Sequence, residues 1–157
     1  MTIARRTFTW QSLAALAALQ SPAAWAQFQR PVAGSDYAVL ETAAPVEAPA
    51  GKIEVVEFFW YNCPHCNAFE PILSEWVKKL PKDVAFRRIP VAFNASFVPQ
   101  QRLYYALEAM GLLEKVHPKV FAAIHVEKLN LAKGEAITEW VGKNGVDTAT
   151  FLSQYNS

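Results

Sequence analysis

The stretch Ile53-Glu54-Val55-Val56-Glu57-Phe58-Phe59-Trp60-Tyr61-Asn62-Cys63-Pro64-His65-Cys66 decides how this chain is read. Ile53 to Trp60 is nearly continuous in β-branched and aromatic residues, the pattern of a central strand buried on both faces. The stretch ends on the only two cysteines of the 157 residues, and a helical pattern follows from Ala68 to Leu80. A C-x-x-C pair at a strand-to-helix junction is the arrangement of thiol–disulfide exchange. Pro64 suits the first helical position, where a missing N–H costs nothing. Cys63 then becomes the cap residue, its sulfur facing the unpaired N–H groups of the first turn. Those donors and the helix dipole favour a thiolate over a thiol. A protonated His65 adds positive charge beside the same sulfur. Stabilising the thiolate stabilises the reduced pair and makes the disulfide a strong oxidant. Cys66, one turn in, is expected to be less exposed and to act as the resolving thiol. A ring this short adds little chain-entropy stabilisation, so the disulfide reads as reactive rather than structural.

Period two places Glu57 on the face of Val55 and Phe59, which buries a carboxylate. Two readings stand side by side: a satisfied core acid, or a proton acceptor with a raised pKa that serves Cys66.

Upstream, Arg5 and Arg6, the short apolar run Leu13 to Leu19 and Ala24-Trp25-Ala26 have the order of a signal peptide over 1–26. Arg5-Arg6-Thr7-Phe8 is also part of a twin-arginine pattern, but general secretion is the expected route. Either route leads to a compartment where disulfides persist. The remaining residues, 27–157, suit one domain. They carry thirteen basic and fourteen acidic residues, a net charge of −1. That balance gives no footprint for nucleic acid or an acidic membrane.

Residues 27 to 51 read as an extended lead-in broken by Pro31, Pro45 and Pro49, with Tyr37 to Glu41 as a short edge strand. In the helix after Cys66, Ala68, Phe69, Ile72, Leu73, Trp76, Val77 and Leu80 form one apolar face, and Pro71 is expected to kink it. Val84 to Val91 is the next strand. From Phe97 the period stays helical. One helix runs from Pro99 to Met110 and stops at Gly111; a second, from Leu112 to Val126, bends or restarts at Pro118. A third runs from Glu135 to Lys143, and a fourth starts at the cap Asp147. The fold class is α/β.

The run from Val56 to Cys66 resembles the active-site strand and turn of the DsbA family of bacterial periplasmic thiol:disulfide oxidoreductases. Pro64-His65 between the cysteines, Glu57 six positions before Cys63 and Pro71 in the helix all match that family's pattern. The resemblance implies a thioredoxin-like sheet, with an N-terminal part over 35–96 and a helical insertion over 97–157. It implies a periplasmic monomer that donates a disulfide to reduced, unfolded exported proteins through a mixed disulfide at Cys63, resolved by Cys66. A membrane quinone-linked partner of the DsbB type would reoxidise it. Cys63, Pro64, His65, Cys66 and Glu57 are the implied site residues. A low Cys63 pKa is also a family property. The family's closing β–β–α unit and the cis-proline loop before it have no counterpart after Val91. The chain is therefore expected to be C-terminally truncated, with a bare sheet edge, poor cover over Phe58 and Val91, and weakened substrate binding.

Other functions compete for the same residues. A redox-active binding or carrier module, or a reductase or isomerase, would use the same motif. A zinc site needs four ligands and no second cysteine pair is present, so no metal is expected. His117 and His125, eight apart, share a helix face but read as surface or capping residues. Haem attachment fails because Asn67 follows Cys66, and no cofactor is expected. Trp60, Tyr61 and Phe97 are candidates to line a peptide groove. Arg87 and Arg88 read as strand-edge charge.

Overall fold

The computed structural model describes residues 30–157; the targeting-segment readings over 1–26 lie outside them. The described residues fall into two units, 30–45 and 46–157. In the first, a turn at Gly34 (φ +85°) brings Ala33 and Tyr37 into a single bridge. Asp36 Oδ2 accepts from the Val32 N–H at 2.7 Å and fixes that turn. The strand expected over Tyr37 to Glu41 does not form: beyond Tyr37 the backbone has no ladder partner.

The second unit begins with β1 (Ile53–Phe59), α1 (Pro64–Val77) and β2 (Val84–Pro90). The strands pair in parallel with Ile53 opposite Val84 and Phe59 opposite Pro90, so Glu57 lies opposite Arg88. Among the described residues β1 has this one neighbour, and the reading of it as buried on both faces needs correction. Phe59 is buried, but Phe58 on the other face is 67% exposed. Val91 is partly buried and donates its N–H to the Phe59 carbonyl at 2.8 Å.

Four helices follow: α2 (Val98–Ala109), α3 (Leu113–His125), α4 (Gly134–Lys143) and α5 (Thr148–Tyr155). Their ends follow from local chemistry. Gly111 takes the left-handed φ of +66° that closes α2, with the Leu112 N–H bonded back to the Leu107 carbonyl at 2.9 Å. Asp147 Oδ2 accepts from the Thr150 N–H at 2.8 Å and caps α5. Pro71 and Pro118 sit inside α1 and α3, which run unbroken through them, so α3 does not restart.

The apolar core lies in the helical half. Leu103, Leu107, Val116, Val120, Ile137, Val141 and Phe151 are fully buried there. Phe59 and Tyr61, at the end of β1, insert among them and meet Tyr104, His117 and Phe121 edge to face. Burying a side chain such as Phe59 contributes about 2–3 kcal/mol. This anchor fixes where the following cysteines stand.

The expected apolar face of α1 divides. Leu73 is buried and packs inward beside Glu70, whereas Phe69, Ile72 and Trp76 are 49, 68 and 43% exposed. The helix turns its Glu70 side inward because that side carries ion-pair partners on β2 and α3.

Candidate active site

The anchored end of β1 feeds directly into the cap of α1. Cys63 is extended (φ −79°, ψ 118°), Pro64 opens the helix, and the Cys63 carbonyl accepts the Asn67 N–H at 3.1 Å. The Cys63 N–H bonds the Trp60 carbonyl at 3.0 Å, which ties the cap to the strand. Cys63 and Cys66 are free thiols, each partly buried, and Cys66 packs against the apolar core.

The two sulfurs are pushed in opposite directions. Burial works to raise the Cys63 thiol, but the Cys66 backbone N–H, the Cys66 thiol and the His65 backbone N–H outweigh it and hold Cys63 below the ordinary thiol range. No conventional capping hydrogen bond is made, so these are soft contacts of helix-end donors with a large anionic sulfur. Burial pushes the Cys66 thiol up, and the charges of Cys63 and Glu57 add to the rise against the opposing Trp60 backbone. His65 acts on Cys63 through its backbone N–H; its ring is exposed to solvent.

Glu57 is mostly covered, as its phase requires, with its side chain 12% exposed, and burial raises its carboxyl against the pull of Arg88. Its partner was not foreseen. Arg88 is not strand-edge charge: its side chain is 9% exposed and joins two carboxylates. Arg88 Nε reaches Glu57 Oε2 at 2.9 Å, while Nη2 lies 2.9 and 3.2 Å from the two oxygens of Glu70. Arg87, on the other face, pairs with Glu54 and Glu47.

The network continues into α3. His117 Nε2 lies 3.5 Å from Glu70 Oε2, and its Nδ1 lies 2.8 Å from the Tyr61 hydroxyl. His125 Nε2 donates to the Tyr61 carbonyl at 2.8 Å. His117 is a buried residue and His125 a half-buried one, so neither is the surface histidine the spacing suggested. Tyr61 is core rather than groove wall, while Trp60 stacks on Phe97 with ring centres 4.0 Å apart. Among the described residues no cluster of three or more His, Cys, Asp or Glu side chains is arranged to hold a metal ion.

Sequence alone missed Arg88, Glu70 and His117 as a unit. The signals were a glutamate inside an apolar helix face and an arginine inside a strand; the parallel register that joins them is not visible in one chain.

The DSBA-like thioredoxin domain model matches residues 54–157. The chain belongs to the DsbA-like thioredoxin-domain family. It is 47% identical over 145 residues to the thiol:disulfide interchange protein DsbA of Burkholderia cepacia, covering 92% of this chain and 66% of that protein. Against the DsbA of Bordetella parapertussis the identity is 42% over 149 residues, covering 95% and 70%. The crystal structure of Pseudomonas aeruginosa DsbA superposes with a TM-score of 0.70 at 47% identity, over 75% of this chain and 61% of that one. The chain thus spans roughly two thirds of the length of these DsbA relatives. The thioredoxin-like fold class expected from the motif is the one found.

Proposed function

We propose that this protein is a protein disulfide oxidoreductase that donates a disulfide to reduced, exported proteins. The observation that supports it most is the contrast between the two thiols: a helix-end Cys63 held below the ordinary thiol range, and a core-packed Cys66 pushed above it.

In the oxidised protein a substrate thiolate attacks Cys63 Sγ. A mixed disulfide forms, the Cys63–Cys66 bond breaks, and Cys66 leaves with the electron pair and takes up a proton. A second substrate thiolate then attacks the substrate sulfur of the mixed disulfide and expels Cys63, whose lowered pKa makes it the better leaving thiolate. The substrate loses two electrons and the cysteine pair gains them. When no second substrate thiol arrives, Cys66 resolves the mixed disulfide by attacking Cys63 and returns the substrate reduced. Glu57, whose charge acts on Cys66 and whose carboxyl is raised by burial, is assigned the exchange of the Cys66 proton in either direction. Pro64 supports the site by opening the helix without an orphaned N–H.

Reoxidation is assigned to a membrane quinone-linked partner of the DsbB type, with the protein acting as a periplasmic monomer. A reduced two-cysteine peptide is the direct probe. The oxidised chain should convert it to the disulfide. A peptide carrying one cysteine as a mixed disulfide with thionitrobenzoate should be captured on Cys63 of Cys66→Ser, with thionitrobenzoate as the leaving thiolate, while Cys63→Ser captures none. Trapping at Cys66 would overturn the assignment.

A further inference from the structure

Arg88 is shared unequally. It gives Glu57 one bond through Nε, and it gives Glu70 both contacts of Nη2. The groups that hold Glu70 in place come from two helices: Ser74 Oγ of its own α1, at 2.5 Å, and His117 of α3. Tyr61 is fully buried, and among the described residues its hydroxyl has one side-chain partner, His117 Nδ1. With that hydroxyl donating to Nδ1, His117 turns an N–H at Nε2 toward Glu70 Oε2. At 3.5 Å that contact is electrostatic rather than a full hydrogen bond.

Resting on the proposed role of Glu57, we infer that His117, its tautomer set by Tyr61, is a positioning residue: it holds Glu70 on Arg88, so that Arg88 grips Glu57 by a single bond and leaves it able to exchange a proton with Cys66. A guanidinium free of Glu70 can close a two-pronged pair with Glu57, and a carboxylate so gripped is a poor base.

Among the described residues the charged and titratable groups facing this cluster are few, and the Cys66 thiol, on which the Glu57 charge acts, is one of them. Glu57 comes from β1, Arg88 from β2, Glu70 from α1 and His117 from α3, with the Tyr61 and Tyr104 hydroxyls beside them. Burial raises Glu70, but His117, Ser74 and Arg88 together hold its carboxyl below the usual range. Glu70 thus stays an anion that competes for Arg88, and its charge adds to the rise of Glu57.

The test follows the Glu57 carboxyl by isotope-edited infrared titration of the reduced full chain, with Glu57→Gln marking its band. Alongside it, the pH profile of mixed-disulfide resolution is measured. Glu70→Gln should increase the acidity of Glu57 by about tenfold or more, and His117→Leu by about threefold, with the profile moving down in pH by the same step. His117→Gln, which keeps a donor toward Glu70, should restore the wild-type midpoint and covers the case in which the leucine variant does not fold. A Glu57 midpoint unmoved by Glu70→Gln and by the His117 variants overturns the inference, while Cys63 and Cys66 keep their roles. A Glu57 midpoint that moves while resolution ignores Glu57→Gln overturns the role of Glu57 and the inference with it. A wild-type chain that exchanges no disulfide overturns the proposed function itself.

Discussion

The helical half and the β1–α1–β2 half use their residues in opposite ways. In the helices apolar side chains are inside: Leu103, Leu107, Val120, Ile137 and Phe151 have essentially no exposure. In the strand–helix–strand half the inward side chains include buried Glu70 and the mostly covered Glu57 and Arg88, while Phe58, Ile72 and Trp76 face outward. Buried charges stabilise little, because desolvation offsets their attraction. The stability of the cysteine-bearing half is therefore borrowed from the other, through Phe59 and Tyr61. The site gains a low-dielectric, charge-tuned setting for Cys66 that a dry core cannot supply.

Substitutions on the two faces of β1 separate these contributions. Phe59→Ala should cost about 3–5 kcal/mol of unfolding free energy, whereas Phe58→Ala should change it by no more than about 0.5 kcal/mol. Denaturant melts of the two variants check this. Equal losses would mean that the exposed face is as well packed as the anchored one.

Removing the shared cation should be the next largest effect. Arg88→Met leaves two buried carboxylates facing each other and should cost toward the low end of ~3–5 kcal/mol near neutral pH. The loss should shrink in acid, as both carboxyls take up protons. A pH-independent loss would show that Arg88 acts through its packing on Phe86, 5.0 Å from the guanidinium, rather than through charge.

Glu57 and Glu70 should then oppose each other in acid. The folded-state pKa of Glu70 is depressed, so its stabilisation is present above the unfolded value near 4.5 and lost as pH falls through the folded one. Glu57 is raised, so its charge is a penalty above its folded pKa that disappears as pH falls below the unfolded value. Glu57→Gln should therefore stabilise the protein at neutral pH with no gain in acid, and Glu70→Gln should destabilise it at neutral pH only. Thermal melts across that window read both signs.

The smallest effect concerns His65. Its exposed ring leaves the backbone N–H as its contribution to Cys63, and His65→Ala keeps that N–H. The redox equilibrium with glutathione should move toward reducing values by less than about 30 mV, one factor of ten for this couple. A larger shift would assign the poise to the ring rather than to the helix end.

Local chemistry was legible in the sequence wherever it acts over a few residues. Pro64 after Cys63 announced the helix start, Gly111 and Asp147 marked helix ends, and the period of two buried Glu57. Contacts set by register or by helix rotation were not legible. Nothing local tells that Arg88 lies opposite Glu57, that α1 turns Glu70 rather than Ile72 inward, or that His117 meets Tyr61 fifty-six residues away. For the same reason Arg88 read as surface charge, whereas Phe58 on β1 is exposed as the expected lack of cover over it implied.

The central claim is that one helical turn separates an acidified thiol from one made less acidic, and the pH dependence of alkylation at each cysteine of the reduced chain tests it most directly. Mass spectrometry of the labelled peptides should show Cys63 ionising below the ordinary thiol range and Cys66 above it, with Cys63 labelled much faster in mild acid. Coincident titrations, or Cys66 ionising first, would contradict the account.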